Sequence, residues 1–206
     1  PRHGLVRTAE WRPIPPHGLR SGAAELAWVT ESSDRSRQIW PHDFALKLSA
    51  RASGLSLSLT LEVTNTGDTA FRFQAALHTY LACRNVQALE LRGLVGSTLE
   101  DQLAGGRREV ATGGPLHPGQ EGIDRIYFDT ASPLVLSEGQ TRLGIHAEGF
   151  PDTVVWNPGP ERAASMPDLG PHEWRYFLCV EAAVVEHPVW LAPGGNWAGR
   201  QVIEVL

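Results

Sequence analysis

The sequence predicts an all-β fold made of antiparallel sheet, on three observations. Leu55-Ser56-Leu57-Ser58-Leu59-Thr60-Leu61 alternates strictly between apolar and hydroxyl-bearing residues, the period-2 pattern of a strand with one wet face. Turn residues bracket it, Ser53-Gly54 before and Asn65-Thr66-Gly67-Asp68 after, as expected of consecutive hairpins. No stretch carries a helical period and no internal repeat stands out. A chain of 206 residues is long enough for one domain with a sizeable core, and residues 1–206 are expected to form one.

The remaining elements follow in order. Glu25 to Thr30 and Phe44 to Arg51 are strand candidates ahead of the alternating stretch. Ala70 to Cys83 places Phe71, Phe73, Ala75, Leu77 and Thr79 on one face and Arg72, Gln74, Ala76, His78 and Tyr80 on the other. That polar face could floor a cleft. Gly93 to Gly122 is polar and Gly-rich, with loop tips at Gly105-Gly106-Arg107-Arg108 and Gly113-Gly114-Pro115. Ile123 to Tyr127 is a further strand, and Pro133 to Leu136 pairs with Thr141 to His146 across Ser137-Glu138-Gly139-Gln140. Thr153-Val154-Val155-Trp156 ends at Asn157-Pro158. A long apolar run then spans Trp174 to Val185, and the segments after Pro188 are expected to be short edge or closing strands.

Composition narrows the function classes. Hydrophobic residues are 42% and charged residues 20%, ordinary for a globular protein, and no apolar run approaches membrane-spanning length. The start carries no signal-peptide pattern. A net charge of −5 argues against general nucleic-acid binding, so an anionic substrate would need a local cluster of cations. Of 18 basic residues only Lys47 is lysine, from which no function is drawn. Cys83 and Cys179 lie far apart without metal-ligand spacing and read as buried free thiols in a reducing compartment, with the cytoplasm as the expectation.

Two polar residues stand out in apolar surroundings. Glu181 is the one acid within Trp174 to Val185, and an unpaired carboxylate there would be costly to bury, so it has a partner or faces a cavity. A structural Glu bonded to backbone or Arg and a catalytic base are both open on this pattern alone. His78 is likewise more often a structural strand histidine than a catalytic one.

Longer motifs carry a resemblance. DTVVWNP, Glu161-Arg162, MPDLG and EWRYFLCVEAAVV together resemble the C-terminal signature of the glucose-6-phosphate 1-epimerases, hexose-6-phosphate mutarotases of the galactose-mutarotase-like, or aldose 1-epimerase, family. One departure is plain: the family usually has an aromatic after Asn-Pro, where this chain has Gly159. The resemblance implies a large antiparallel β-sandwich, N-terminally short relative to the family. It makes Glu181, in the CVE segment, the general base. LHTYL matches the segment whose histidine is the general acid, His78. His3-Gly4-Leu5-Val6-Arg7, followed by Trp11, resembles the family's HG-x-x-R segment. Arg7 would then contact the sugar phosphate and His3 would line the pocket, with Arg2 as a second cation and Arg162 as a helper. Ile123-Asp124-Arg125-Ile126-Tyr127 matches x-D-R-x-Y and places Asp124 on sugar hydroxyls; an Asp-Arg pair stabilising the sheet edge competes with that role.

The implied reaction exchanges the α and β anomers of a hexose 6-phosphate, glucose 6-phosphate first, with no metal and no cofactor. A base removes the anomeric hydroxyl proton while an acid protonates the ring oxygen, so the two side chains are expected about a hexose ring apart. A sugar phosphate is the expected partner, with neither nucleic acid nor membrane, and a monomer is the default. Two alternatives stay open: an aldose 1-epimerase acting on unphosphorylated sugars, and a non-catalytic carbohydrate-binding β-sandwich.

Overall fold

The computed structural model describes residues 3–15, 23–130 and 133–206. Alternation and turn residues give strands almost throughout: β1 (Arg12–Ile14), β2 (Ala23–Glu31), β3 (Phe44–Ser53), β4 (Ser56–Asn65), β5 (Phe71–Leu77), β6 (Tyr80–Ala82), β7 (Glu90–Arg92), β8 (Thr98–Asp101), β9 (Arg107–Val110), β10 (Ile123–Phe128), β11 (Leu134–Glu138), β12 (Thr141–Glu148), β13 (Asp152–Asn157), β14 (Phe177–Leu191) and β15 (Asn196–Val205). One sheet is ordered β1-β2-β3-β4-β15-β12-β11-β7. The other is ordered β5-β14-β13-β10-β8-β9, with β6 also pairing β14. No helix among the described residues is long and apolar enough to cross a membrane.

The chain divides into two compact units, Pro1–Phe73 with Pro188–Val202, and Gln74–His187 with Ile203–Leu206. In the first, the predicted hairpin is β3 and β4, paired along their whole length and turned at Gly54, whose φ of 58° suits a residue without Cβ. Phe44, Leu46 and Val63 from these strands pack with Phe71 and Leu191 into one core. That cover reaches only one end of the hairpin, so the apolar row of β4 is buried at Val63 and exposed near the turn at Leu55 and Leu57. The short helix α1 (Asp34–Ile39) is set by a capping box, Ser33 and Ser36 each accepting the other's backbone N–H at 3.2 and 2.8 Å.

In the second unit, Leu91, Leu134, Leu136 and Ile145 from one sheet share a core with Leu99, Tyr127, Val155, Leu178 and Val180 from the other, making a two-layered sandwich. A buried asparagine ends a strand in each unit by the same scheme. Asn65 Nδ2 donates to the carbonyls of Thr69 and Leu191 while its Oδ1 accepts from Gly67 N–H. Asn157 Nδ2 donates to Trp174 and Phe177, at 2.7 and 2.8 Å, while its Oδ1 accepts from Gly159 N–H.

Three expectations about elements change. The strand expected over Ala70 to Cys83 is broken at His78-Thr79 into β5 and β6, which both pair with β14. The polar stretch before Gly122 contains a real hairpin, β8 with β9, whose turn holds Gly105 and Gly106. The segments after Pro188 are not short edge strands: β14 continues through Leu191, and β15 is ten residues long between β4 and β12.

Candidate active site

The face of the second sheet turned away from its core is fixed by parity. Leu81, Leu178, Val180, Val155 and Tyr127 point into the core, so their alternate neighbours line the opposite face. Cross-strand register then lays out two rows there. One runs Tyr80, Cys179, Trp156, Asp124 across β6, β14, β13 and β10; the next runs Glu181, Val154, Ile126, Glu100, Arg108.

Glu181 and His78 meet on this face, with 3.0 Å between Oε2 and Nδ1. The break between β5 and β6 creates the contact. Thr79 O accepts from Val180 N–H, which ties the two-residue gap to β14 beside Glu181 and leaves the imidazole over the carboxylate. The Glu181 side chain is 6% exposed and that of His78 36%, so the pair is open to solvent from the histidine side. The expected separation of about a hexose ring is not what this geometry has: acid and base touch.

Asp124 lies on the same face, and its Oδ2 accepts from Arg162 Nη1 at 2.9 Å. Arg162 comes from α2 (Gly159–Ala163), whose start is set by Asn157 and by Gly159 at φ 65°. A Cβ on Gly159 would stand 2.7 Å from the backbone N of Gly122, so in this chain the position where the family usually has an aromatic leaves no room for a side chain. Asp124 thus has an arginine partner, but it is Arg162, and β10 is an interior strand between β13 and β8, so the pair expected at the sheet edge is not formed. The neighbouring Arg125 bonds Asp101 instead, at 2.8 Å. Burial works to raise the Asp101 carboxyl, and the Arg125 hydrogen bond and charge outweigh it, leaving it below its usual range.

Beside the two carboxylates stands an aromatic cluster, of which Trp156 is on the strand between them. Tyr80, Trp156 and Phe177 have ring centroids 5.0 to 6.2 Å apart, Trp156 stacking on Phe177 at 29°. Further along the face, Arg108 makes a bidentate contact with Glu186 at 2.9 and 3.0 Å, bonds Glu100 at 2.8 Å and lies over the Phe128 ring. Glu186 and then Glu100 hold the guanidinium above its ordinary proton affinity. Sequence reasoning took Arg108 for a loop tip and passed over Asp152. The buried Asp152 accepts from the N–H groups of Asp129, Val185 and Glu186, holding β14 just beyond the site.

His3 and Arg7 lie in the first unit, in the turn region before β1, where both are exposed and His3 has φ 63°. For these two the HG-x-x-R resemblance remains the carrying observation, and Arg2 lies outside the described residues. His146 bonds Glu204 at 2.8 Å. Cys179 is buried, whereas Cys83 is only partly so, and burial pushes its thiol up to about 11. Among the described residues no group of three or more His, Cys, Asp or Glu side chains is placed to hold a metal ion.

Comparison with known proteins identifies the family. The aldose 1-epimerase family model matches residues 1–204. A "Putative glucose-6-phosphate 1-epimerase" of Cenchrus ciliaris is 30% identical over 216 residues, 100% of this chain and 65% of that protein. One of the same name from Escherichia coli (strain K12) is 27% identical, over 89% of this chain and 60% of that protein. The chain thus spans somewhat less than two thirds of the length of these relatives. The crystal structure of a "putative mutarotase (YeaD)" from Salmonella typhimurium superposes with a TM-score of 0.88 at 25% identity, covering 100% of this chain and 68% of that one. The match runs over nearly every residue: this chain belongs to the aldose 1-epimerase family.

Proposed function

We propose that this face interconverts the α and β anomers of a hexose 6-phosphate, with Glu181 as base and His78 as acid. The carrying observation is the 3.0 Å contact between a nearly buried strand carboxylate and an imidazole held by a strand break. Glu181 takes the proton of the anomeric hydroxyl while His78 gives one to the ring oxygen. The C1–O5 bond opens to the aldehyde, C1 turns about C1–C2, and the two groups run the reverse step on the other face of the carbonyl. Both side chains come from strands or their immediate ends, which fixes their depth on the sheet. To flank a ring they rotate apart about their own side-chain bonds, with the sugar entering between them. Asp124 accepts a hydroxyl bond beside the ring. Arg7, with His3 and Arg2 near it in sequence and Arg162 as a helper, is proposed to hold the phosphate, the part of the reading that names the substrate. Arginine suits a near-dianionic phosphate because its fork bonds two oxygens at once.

Exchange NMR on glucose 6-phosphate tests this. The protein should speed anomer exchange far above the buffer rate, and His78→Ala or Glu181→Gln should each lose roughly 10²- to 10⁴-fold of it with much smaller loss of binding. Equal losses of exchange and binding would make the pair simple ligands, the carbohydrate-binding alternative. Arg7→Gln should impair glucose 6-phosphate far more than glucose; equal impairment would favour an enzyme of unphosphorylated aldoses.

A further inference from the structure

We propose that Trp156 is the floor on which the hexose ring stacks, with Tyr80 as the wall beside it; the inference deepens the anomer-exchange reading and rests on it. Trp156 is directly opposite Asp124 on β10, and two residues along β13 from Val154, which is directly opposite Glu181 on β14. The indole therefore lies between the two carboxylates on their own face of the sheet. Two inter-strand steps and one two-residue step along a strand put the backbones of Asp124 and Glu181 about 12 Å apart. Once each side chain reaches inward, that gap accommodates one pyranose ring. On this face the middle of the gap is flanked by Trp156 and Val154, and of the two only Trp156 offers a flat ring.

The indole's surroundings suit a platform. Phe177 stacks against it at 29° and 5.9 Å, and Tyr80 stands edge-on at 6.2 Å, so its tilt is set from two sides. Tyr80 is 51% exposed, a half-open aromatic that adds apolar contact beside the indole. Beneath them Cys179 is fully buried, so the cluster has a packed base and does not sink into the sheet.

The chemistry gives the platform a reason. In either anomer of glucopyranose the C3–H and C5–H bonds are axial on one face of the ring, an apolar patch that fits a flat aromatic. The axial C1 hydroxyl of the α anomer points to that same face, so the indole has to sit under C3 to C5, with C1 beyond its edge, for both anomers to be held. Stacking there also anchors C3 to C5 while C1 swings after ring opening, which a clasp on the anomeric oxygen could not do.

The test uses the intact protein, with three readouts: exchange kinetics on glucose 6-phosphate, saturation-transfer NMR on the bound sugar, and thermal melting. Trp156→Leu should raise KM about 10-fold with kcat within about 3-fold, and Trp156→Phe should recover most of the loss, because a ring is restored. In the wild-type protein, saturation should reach H3 and H5 more strongly than H2 and H4. A KM within about 2-fold of wild type for Trp156→Leu overturns the platform and leaves the indole as packing. Should that variant not fold, even saturation over both faces of the ring in the wild-type protein overturns it as well. Face-selective saturation without any anomer exchange would support the platform and defeat the enzymatic reading instead, so the two stand or fall separately.

Discussion

Glu181 and Asp124 face the same side of one sheet, but their partners differ in kind, an imidazole for one and a guanidinium for the other. The Asp124–Arg162 pair is half open, with the Arg162 side chain 47% exposed, and such pairs contribute little to stability. Arg162→Met should therefore change unfolding free energy by less than about 1 kcal/mol in urea titrations. If Arg162 orients Asp124 for a sugar hydroxyl, the same substitution raises KM for glucose 6-phosphate; an unchanged KM would reduce the pair to surface electrostatics. Glu181 was legible in the sequence because one acid in a long apolar run has to be explained, and His78 because its motif was distinctive. Asp152 and Asn157 were not. Both read as ordinary strand-end residues, and what makes them structural is their backbone partners, which lie 17 to 34 residues away for Asn157 to Trp174 and Phe177 and for Asp152 to Asp129, Val185 and Glu186. Spacing along the chain carries no sign of such partners.

At the scale of elements, strong alternation was the reliable signal. The β3–β4 hairpin was visible because its faces differ in polarity and Gly54 marks the turn. The β8–β9 hairpin was hidden because Thr98–Asp101 and Arg107–Val110 are short and largely polar, with β9 at the sheet edge and exposed throughout. The helices were hidden too, since neither α1 nor α2 completes two turns and periodicity needs a longer window. For α2 the deciding residue is Gly159. It is buried at φ 65°, and its Cα approaches the backbone of Glu121 and Gly122 so closely that an added Cβ would lie 2.7 to 2.8 Å from it. Gly159→Ala should destabilise the protein by about 1–3 kcal/mol, read as a lower urea midpoint. Because α2 carries Arg162, the variant should also raise KM in parallel with Arg162→Met.

At the scale of the whole molecule, several carboxylates are held below their ordinary range. The Ser32 and Arg37 hydrogen bonds do this for Asp43, and Arg108 does it for Glu100 and Glu186, while at Asp101 the Arg125 contact overcomes burial. A carboxyl whose folded value is depressed adds stability above its unfolded value, which is lost as pH falls through the folded one. With ordinary values of 3.8 for Asp and 4.5 for Glu, stability should be flat above about pH 5 and decline below about pH 4. Urea midpoints at pH 7, 5 and 3.5 check this, and an unchanged midpoint at pH 3.5 would mean that these pairs add nothing. A different kind of constraint follows from the gap at His78-Thr79. Since β5 and β6 both hydrogen-bond to β14, the gap is pinned at either end and cannot absorb length changes as a surface loop does. One residue inserted between Leu77 and Tyr80 would either turn Tyr80 toward the interior or carry the histidine off its carboxylate. The bordering loops are therefore free to change in length, while this two-residue interval has to keep its own.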